Sequence, residues 1–143
     1  MKLIVSAVLL LSWLNAADFV TKLSPYSVSV TIEKLTKEVM NKGFNIFAFI
    51  DHAKGAKSVG LELPEQQVLI FGKPQAGTKI MLQDRLAGFD LPIRVMVYED
   101  GNKVKLVYRT KEYFSSNYSL DACKVLNKMS TALDIITNKA IGK

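Results

Sequence analysis

The stretch Ile93-Arg94-Val95-Met96-Val97-Tyr98-Glu99-Asp100-Gly101-Asn102-Lys103-Val104-Lys105-Leu106-Val107-Tyr108 decides the fold. Both halves alternate side-chain character with the two-residue period of a half-buried strand. Asp100-Gly101 between them is a strong hairpin signal. A two-residue loop there pairs Val97 with Val104, Val95 with Leu106 and Ile93 with Tyr108. All six then fall on one face, as a correct register requires. The other face carries Arg94, Met96 and Tyr98 opposite Lys103, Lys105 and Val107. Lysines at 103 and 105 suit an edge strand, where charge discourages pairing with another chain.

Upstream lie two short apolar runs, Phe44–Ile50 and Val68–Phe71. Each reads as a strand that is apolar on both faces and therefore buried on both. Asp51 can cap a short helix through about Ser58, which Gly60 ends. Gly72-Lys73-Pro74 is a turn, a helix follows from about Ala76 to Gln83, and Arg85–Asp90 is a loop carrying Gly88. Nearer the start, Asp18–Leu23 forms a short strand and Ser27 caps a helix. Val28, Ile32, Leu35 and Val39 recur at helical spacing in it, and Gly43 closes it. Beyond the hairpin, a short segment at Lys111–Ser116 precedes a helix beginning near Ser119. Its apolar stripe is Ala122, Leu126, Met129, Leu133, Ile136 and Ala140. The expected fold is one α+β domain. It has about five strands in a mostly antiparallel or mixed sheet, with helices packed on it and a C-terminal helix over one face.

At 143 residues with 49% hydrophobic and 22% charged side chains, the chain can bury a core without metal or disulfide staples. Net charge is +6, from 19 basic and 13 acidic residues, but the basic residues are scattered among acids. That argues against a nucleic-acid surface, which needs clustering. Residues 1–17 stand apart. Met1-Lys2 is a positive start, Leu3–Leu14 is apolar except for Ser6 and Ser12, and Asn15-Ala16-Ala17 supplies small residues before Asp18. This is the pattern of a secretory signal peptide, with an apolar core too short to span a bilayer. Cleavage after Ala16 or Ala17 would leave a periplasmic or secreted domain of residues 18–143, without Trp13. No second long apolar run follows, so no membrane span is expected in the mature chain. Cys123 lies within a helical apolar pattern and reads as a small buried hydrophobe.

Chemistry-bearing motifs are few. Gly72 to Lys79 imitates a phosphate loop, but Thr78-Lys79 stands where Lys and then Ser or Thr are needed. It reads as a strand-to-helix turn with at most a weak anion site at the helix N-terminus. No Gly-x-Ser-x-Gly elbow is present, and one histidine with one cysteine is too few for a tetrahedral zinc site. The single histidine, His52, falls where the first apolar strand ends. Phe47, Phe49 and Phe71 around it suggest an apolar pocket. A structural, hydrogen-bonded histidine is the plain alternative.

Gly43-Phe44, Ile50-Asp51-His52-Ala53, Gly60-Leu61, Leu69-Ile70-Phe71-Gly72-Lys73-Pro74, Ala76-Gly77-Thr78 and Asp90-Leu91-Pro92 together resemble the signature of a bacterial and archaeal family. That family is known as domain of unknown function 302. The resemblance covers about Leu23 to Tyr108 and implies a compact α+β domain with no established activity. It also carries an association of some members with haem or redox proteins. From it follows the expectation of a non-enzymatic module binding a small ligand, most concretely haem. His52 would be an axial ligand, Phe47, Phe49 and Phe71 the pocket, and Met81 a second iron ligand. Two alternatives stand beside it, a small hydrolase-like enzyme with His52 as general base and a purely structural or interaction domain. A homodimer is also expected, because so small a domain has few helices to cover strands apolar on both faces.

Overall fold

The hairpin forms, displaced by two residues from the expected register. The computed structural model, which describes residues 17–143, pairs Met96 with Val107, Val97 with Leu106 and Asp100 with Lys103. The loop is therefore Gly101-Asn102. Gly101 has φ of 61° and among the described residues no non-glycine residue has positive φ, so the first loop position alone is left-handed. That is the type II′ arrangement, which wants glycine first; a loop of Asp100-Gly101 would put aspartate in that conformation. Because the displacement is even, every side chain keeps its expected face. Residues 1–16, with nearly all of the expected signal segment and Trp13, lie outside the described residues.

Among the described residues eleven elements follow in order: β1 (Phe19–Ser24), α1 (Val28–Asn41), β2 (Asn45–Asp51), α2 (His52–Ser58), β3 (Gln66–Gly72), α3 (Pro74–Met81), a 3-10 turn (Arg85–Phe89), β4 (Ile93–Asp100), β5 (Lys103–Arg109), α4 (Lys111–Asn117) and α5 (Lys124–Ala140). The strands make one open sheet in the order β1-β5-β4-β3-β2, and every neighbouring pair is antiparallel. The α+β expectation holds. Several boundaries move. α3 starts at Pro74, whose missing N–H and fixed φ suit the first helical position. The expected loop at Arg85 is the 3-10 turn, with Asp84 Oδ1 accepting from the Leu86 N–H. α5 starts at Lys124 rather than near Ser119.

Two strand environments differ from expectation. β5 is not an edge, because β1 pairs along it from Phe19↔Arg109 to Ser24↔Val104. Lys105 instead forms an ion pair with Asp100 across the hairpin. β2 is not buried on both faces; it is the outermost strand, and among the described residues nothing pairs along its far side. Phe47 and Phe49 are 50% and 52% exposed. A register shift between Ile46 and Ala48 leaves Phe47 without a partner on β3. β3 behaves as expected, paired on both sides with Val68, Leu69 and Phe71 buried.

One face of the sheet carries the main core. Val28, Ile32, Leu35 and Val39 of α1 and Leu133, Ile136 and Ala140 of α5 pack on Leu69, Phe71, Val95, Val97, Leu106 and Tyr108. A smaller cluster gathers Ile80, Ala87, Phe114, Leu120, Cys123 and Leu126, and Met129 of α5 touches both clusters. Cys123 is buried, as its place in the apolar pattern implied. On the opposite sheet face, Val68, Met96 and Val107 align in one cross-strand row. None of the three belongs to either cluster.

Candidate functional site

The apolar run of β3 ends at Gly72, and Lys73-Pro74 turns the chain directly into α3. Beside this turn, where the two hydrophobic clusters meet, the chain encloses a groove of about 620 Å3. That is within the range of about 300–1,000 Å3 usual for small-ligand sites. Its apolar lining includes Phe44, Ile80, Met81, Leu91, Ile93 and Met129, all buried or half-buried, and Phe47 from the edge strand. α5 supplies the far wall through Val125, Lys128, Met129 and Ala132. Lys42, Lys73, Lys79 and Lys128 line it as well, all exposed, and no Asp, Glu or His does. The ammonium of Lys73 lies 4.7 Å over the Phe44 ring, which packs edge-on against Phe71 at 5.6 Å. The N-terminus of α3, which no side chain caps, opens on the same groove. Met81 lies close against Gly88: a Cβ there would come 2.9 Å from its sulfur, and the flexible Met81 side chain would have to shift.

The residues expected to share a site are only partly brought together. Phe47 and Met81 line the groove. Phe71 is wholly buried in the core beneath it, and Phe49 is exposed on the edge strand. His52 is the first residue of α2, exposed, with Asp51 as N-cap accepting from the Lys54 N–H at 2.8 Å. Asp51 pairs with Gln67 at one end of the β2–β3 ladder, and Asn45 pairs with Gly72 at the groove end. From Gln67 to Gly72 is five residues, about 17 Å at about 3.4 Å each. The expected residues are therefore not gathered in one pocket, and His52 and Met81 lie toward opposite ends of the β2–β3 ladder. The stretch Ala48–Asp51 of β2 separates the imidazole from Phe47, the strand's residue on the groove. The residues present do not fit a haem held by that pair. Among the described residues, no three His, Cys, Asp or Glu side chains gather closely enough to hold a metal ion.

A model of the family described as "Domain of unknown function DUF302" matches residues 20–136. The chain belongs to that family. A crystal structure of an uncharacterized conserved DUF302 protein from Bacillus stearothermophilus superposes with a TM-score of 0.77. It covers 87% of this chain and 99% of its own at 17% identity, a likeness of fold. Among curated proteins, "Fluoride-specific ion channel FluC 1" of Brucella suis is 38% identical over 129 residues, which is 88% of this chain and 51% of that protein. The Brucella abortus protein of the same name is 38% identical over 129 residues, 48% of its length. The DUF302 chain spans about half the length of these relatives.

Within the DUF302 chain, Asp90 has a role that its place in a short motif did not disclose. Its Oδ2 accepts from the hydroxyls of Tyr113 at 2.9 Å and Tyr118 at 2.5 Å. The hydrogen bond to Asp90, with burial second, pushes the Tyr118 hydroxyl up from 10.0 to about 12, and Tyr113 shifts upward for the same reasons. Asp84 Oδ2 accepts from the Ser119 N–H at 2.9 Å. The two carboxylates flanking the 3-10 turn thus hold the link between α4 and α5, and with it the α5 wall of the groove. The tyrosines lie beyond Tyr108, past the last of the motifs legible in the sequence although within the family match to residue 136, so nothing in the sequence connected them to Asp90.

Proposed function

We propose that this chain is a non-enzymatic binding module whose site is the groove between the β3–α3 turn and α5. The observation that carries the reading is the preformed apolar cavity itself, built where the two hydrophobic clusters meet and held open by separately anchored walls. An enzymatic reading with His52 as general base gains no such support. Among the described residues, no side chain is hydrogen-bonded to His52 to orient it. The experiment is titration with Nile red, a neutral apolar dye, comparing wild type with Ala132→Trp, which fills the groove from α5. Wild type is expected to bind one dye per chain, and the variant to lose that binding at an unchanged melting temperature. Equal binding by both would overturn the reading. Haemin, the ligand expected from the family resemblance, belongs in the same series. If haemin occupies the groove, Ala132→Trp removes its Soret band and His52→Ala leaves the band unchanged.

The Brucella relatives are named as fluoride-specific ion channels, and their matched half is proposed to be a binding domain carried alongside the rest of the protein. No helix among the described residues is long and apolar enough to cross a membrane. Export of the present chain follows from residues 1–17. The intact mass of the product would show their removal or retention.

We further propose that the sheet face opposite α1 and α5 pairs two copies of the chain. The row Ile50, Val68, Met96, Val107 is apolar across four strands, with Ile50 exposed, Met96 half-buried and Val68 and Val107 buried, and Phe19 and Leu23 are exposed on β1 beside it. Five strands at about 4.8 Å and six residues at about 3.4 Å give a face of roughly 500 Å2 in projection. Side-chain relief brings that near the about 800 Å2 per partner of a stable interface. Light scattering at micromolar concentration should give a dimer, and Met96→Glu a monomer. A monomeric wild type would refute the pairing.

A further inference from the structure

We infer that the groove takes an amphiphile with one acidic head and a long apolar tail, of the chemistry of a long-chain carboxylate. The inference rests on the groove being the binding site and goes on to name what it selects. Four lysines line the groove, and no Asp or Glu does. Among the described residues, the ion pairs are Lys22 with Asp134, Lys105 with Asp100 and Lys111 with Glu112. Lys42, Lys73, Lys79 and Lys128 take part in none of these. A cluster of like charges around an apolar cavity is unfavourable until an anion arrives, and its field draws one in.

The distribution of the charges narrows the ligand further. The lysines are exposed and form the rim, while Ile80, Ile93, Met129 and Leu91 below them are buried or half-buried. A small inorganic anion would satisfy the rim and leave the apolar floor wet. A neutral apolar molecule would fill the floor and leave the rim uncompensated. A molecule with an acidic head and an apolar tail satisfies both. The surroundings agree, because a second depression of about 350 Å3 shares Lys42, Lys128 and Ala132 with the groove and reaches Thr131 and Ile135. Ile135 is 40% exposed there. A flexible tail fits two neighbouring depressions better than a compact ring system does.

The test uses cis-parinaric acid, a fluorescent long-chain carboxylate, and its neutral methyl ester, both below micelle-forming concentrations. The acid is expected to bind one per chain and at least tenfold more tightly than the ester. The double variant Lys73→Gln/Lys128→Gln changes two exposed side chains and should fold normally. It is expected to bind acid and ester within twofold of each other. Equal affinity of acid and ester for the wild type would overturn the head-group inference while leaving the groove as a binding site. If neither binds while Nile red does, the amphiphile falls and the site stands. If Nile red fails as well, the groove reading falls with it. Preference for the acid that survives in the double variant would also overturn the assignment to these lysines.

Discussion

Replacing Phe71 with alanine is expected to cost about 3–5 kcal/mol of folding stability, the range for truncating a fully buried aromatic. Phe71 is 0% exposed and sits on β3 between two paired neighbours. Its ring meets that of Phe44 edge-on, with an interplanar angle of 88°. Backbone pairing on both sides keeps β3 in place, so the cavity left behind cannot collapse easily. Domains of this size hold only about 5–15 kcal/mol in total, so the variant should be near the edge of folding. Phe49→Ala, on the same apolar run as Phe47 but 52% exposed, should cost under about 1 kcal/mol. Urea unfolding of the two variants measures the contrast directly. Similar losses at both positions would mean that β2 is covered in solution.

Asp90→Ala carries the second large effect, about 2–4 kcal/mol, since two tyrosine hydroxyls lose their shared charged acceptor. The same contact has a signature in alkali. The folded chain holds the Tyr118 proton more tightly than the unfolded chain does, with the hydroxyl at about 12 instead of 10.0. The resulting stability is present in full below pH 10 and is lost as pH rises through about 12. In wild type, the tyrosinate absorbance of this residue should therefore appear late, near the alkaline unfolding of the chain. In Asp90→Ala it should appear earlier, before unfolding. Superimposable titration curves for the two proteins would contradict the assignment. Because Asp90 also fixes the link into α5, the variant should bind groove ligands more weakly even where it remains folded.

What could be read from the sequence was whatever local pattern decides. The alternation in Ile93–Tyr108 put Val95, Val97 and Leu106 on the core face, and an error of two residues in register could not change that. The register itself depends on which loop residue is left-handed, a matter of φ at Gly101 that the letters Asp-Gly do not settle. The helical stripes of α1 and α5 were legible for the same reason, since a 3.6-residue period is a property of neighbours. Phe44–Ile50 misled because burial is not local. Its composition is that of a central strand, but the sheet order places it outermost, and that order follows from how β1 returns to pair with β5. The groove was invisible for a related reason. Lys42 ends α1, Lys73 precedes α3, Lys79 lies within it and Lys128 is on α5; only the packing of these elements makes them a set. His52 attracted notice as the single histidine, yet singularity in composition carries no information about position.

The unpaired residue in β2 has a consequence for how these molecules behave beside one another. Asn45-Ile46-Phe47-Ala48-Phe49-Ile50-Asp51 is an outer strand of apolar character with neither lysine nor proline in it. Such a strand offers a row of open backbone donors and acceptors on which a neighbouring chain could extend the sheet, the first step toward fibrous aggregates. The one-residue irregularity at Phe47 breaks the regular spacing of that row and adds local twist, so a straight strand cannot dock along its full length. The same extra residue that turns a phenylalanine toward the groove thus also keeps one molecule from growing onto the next.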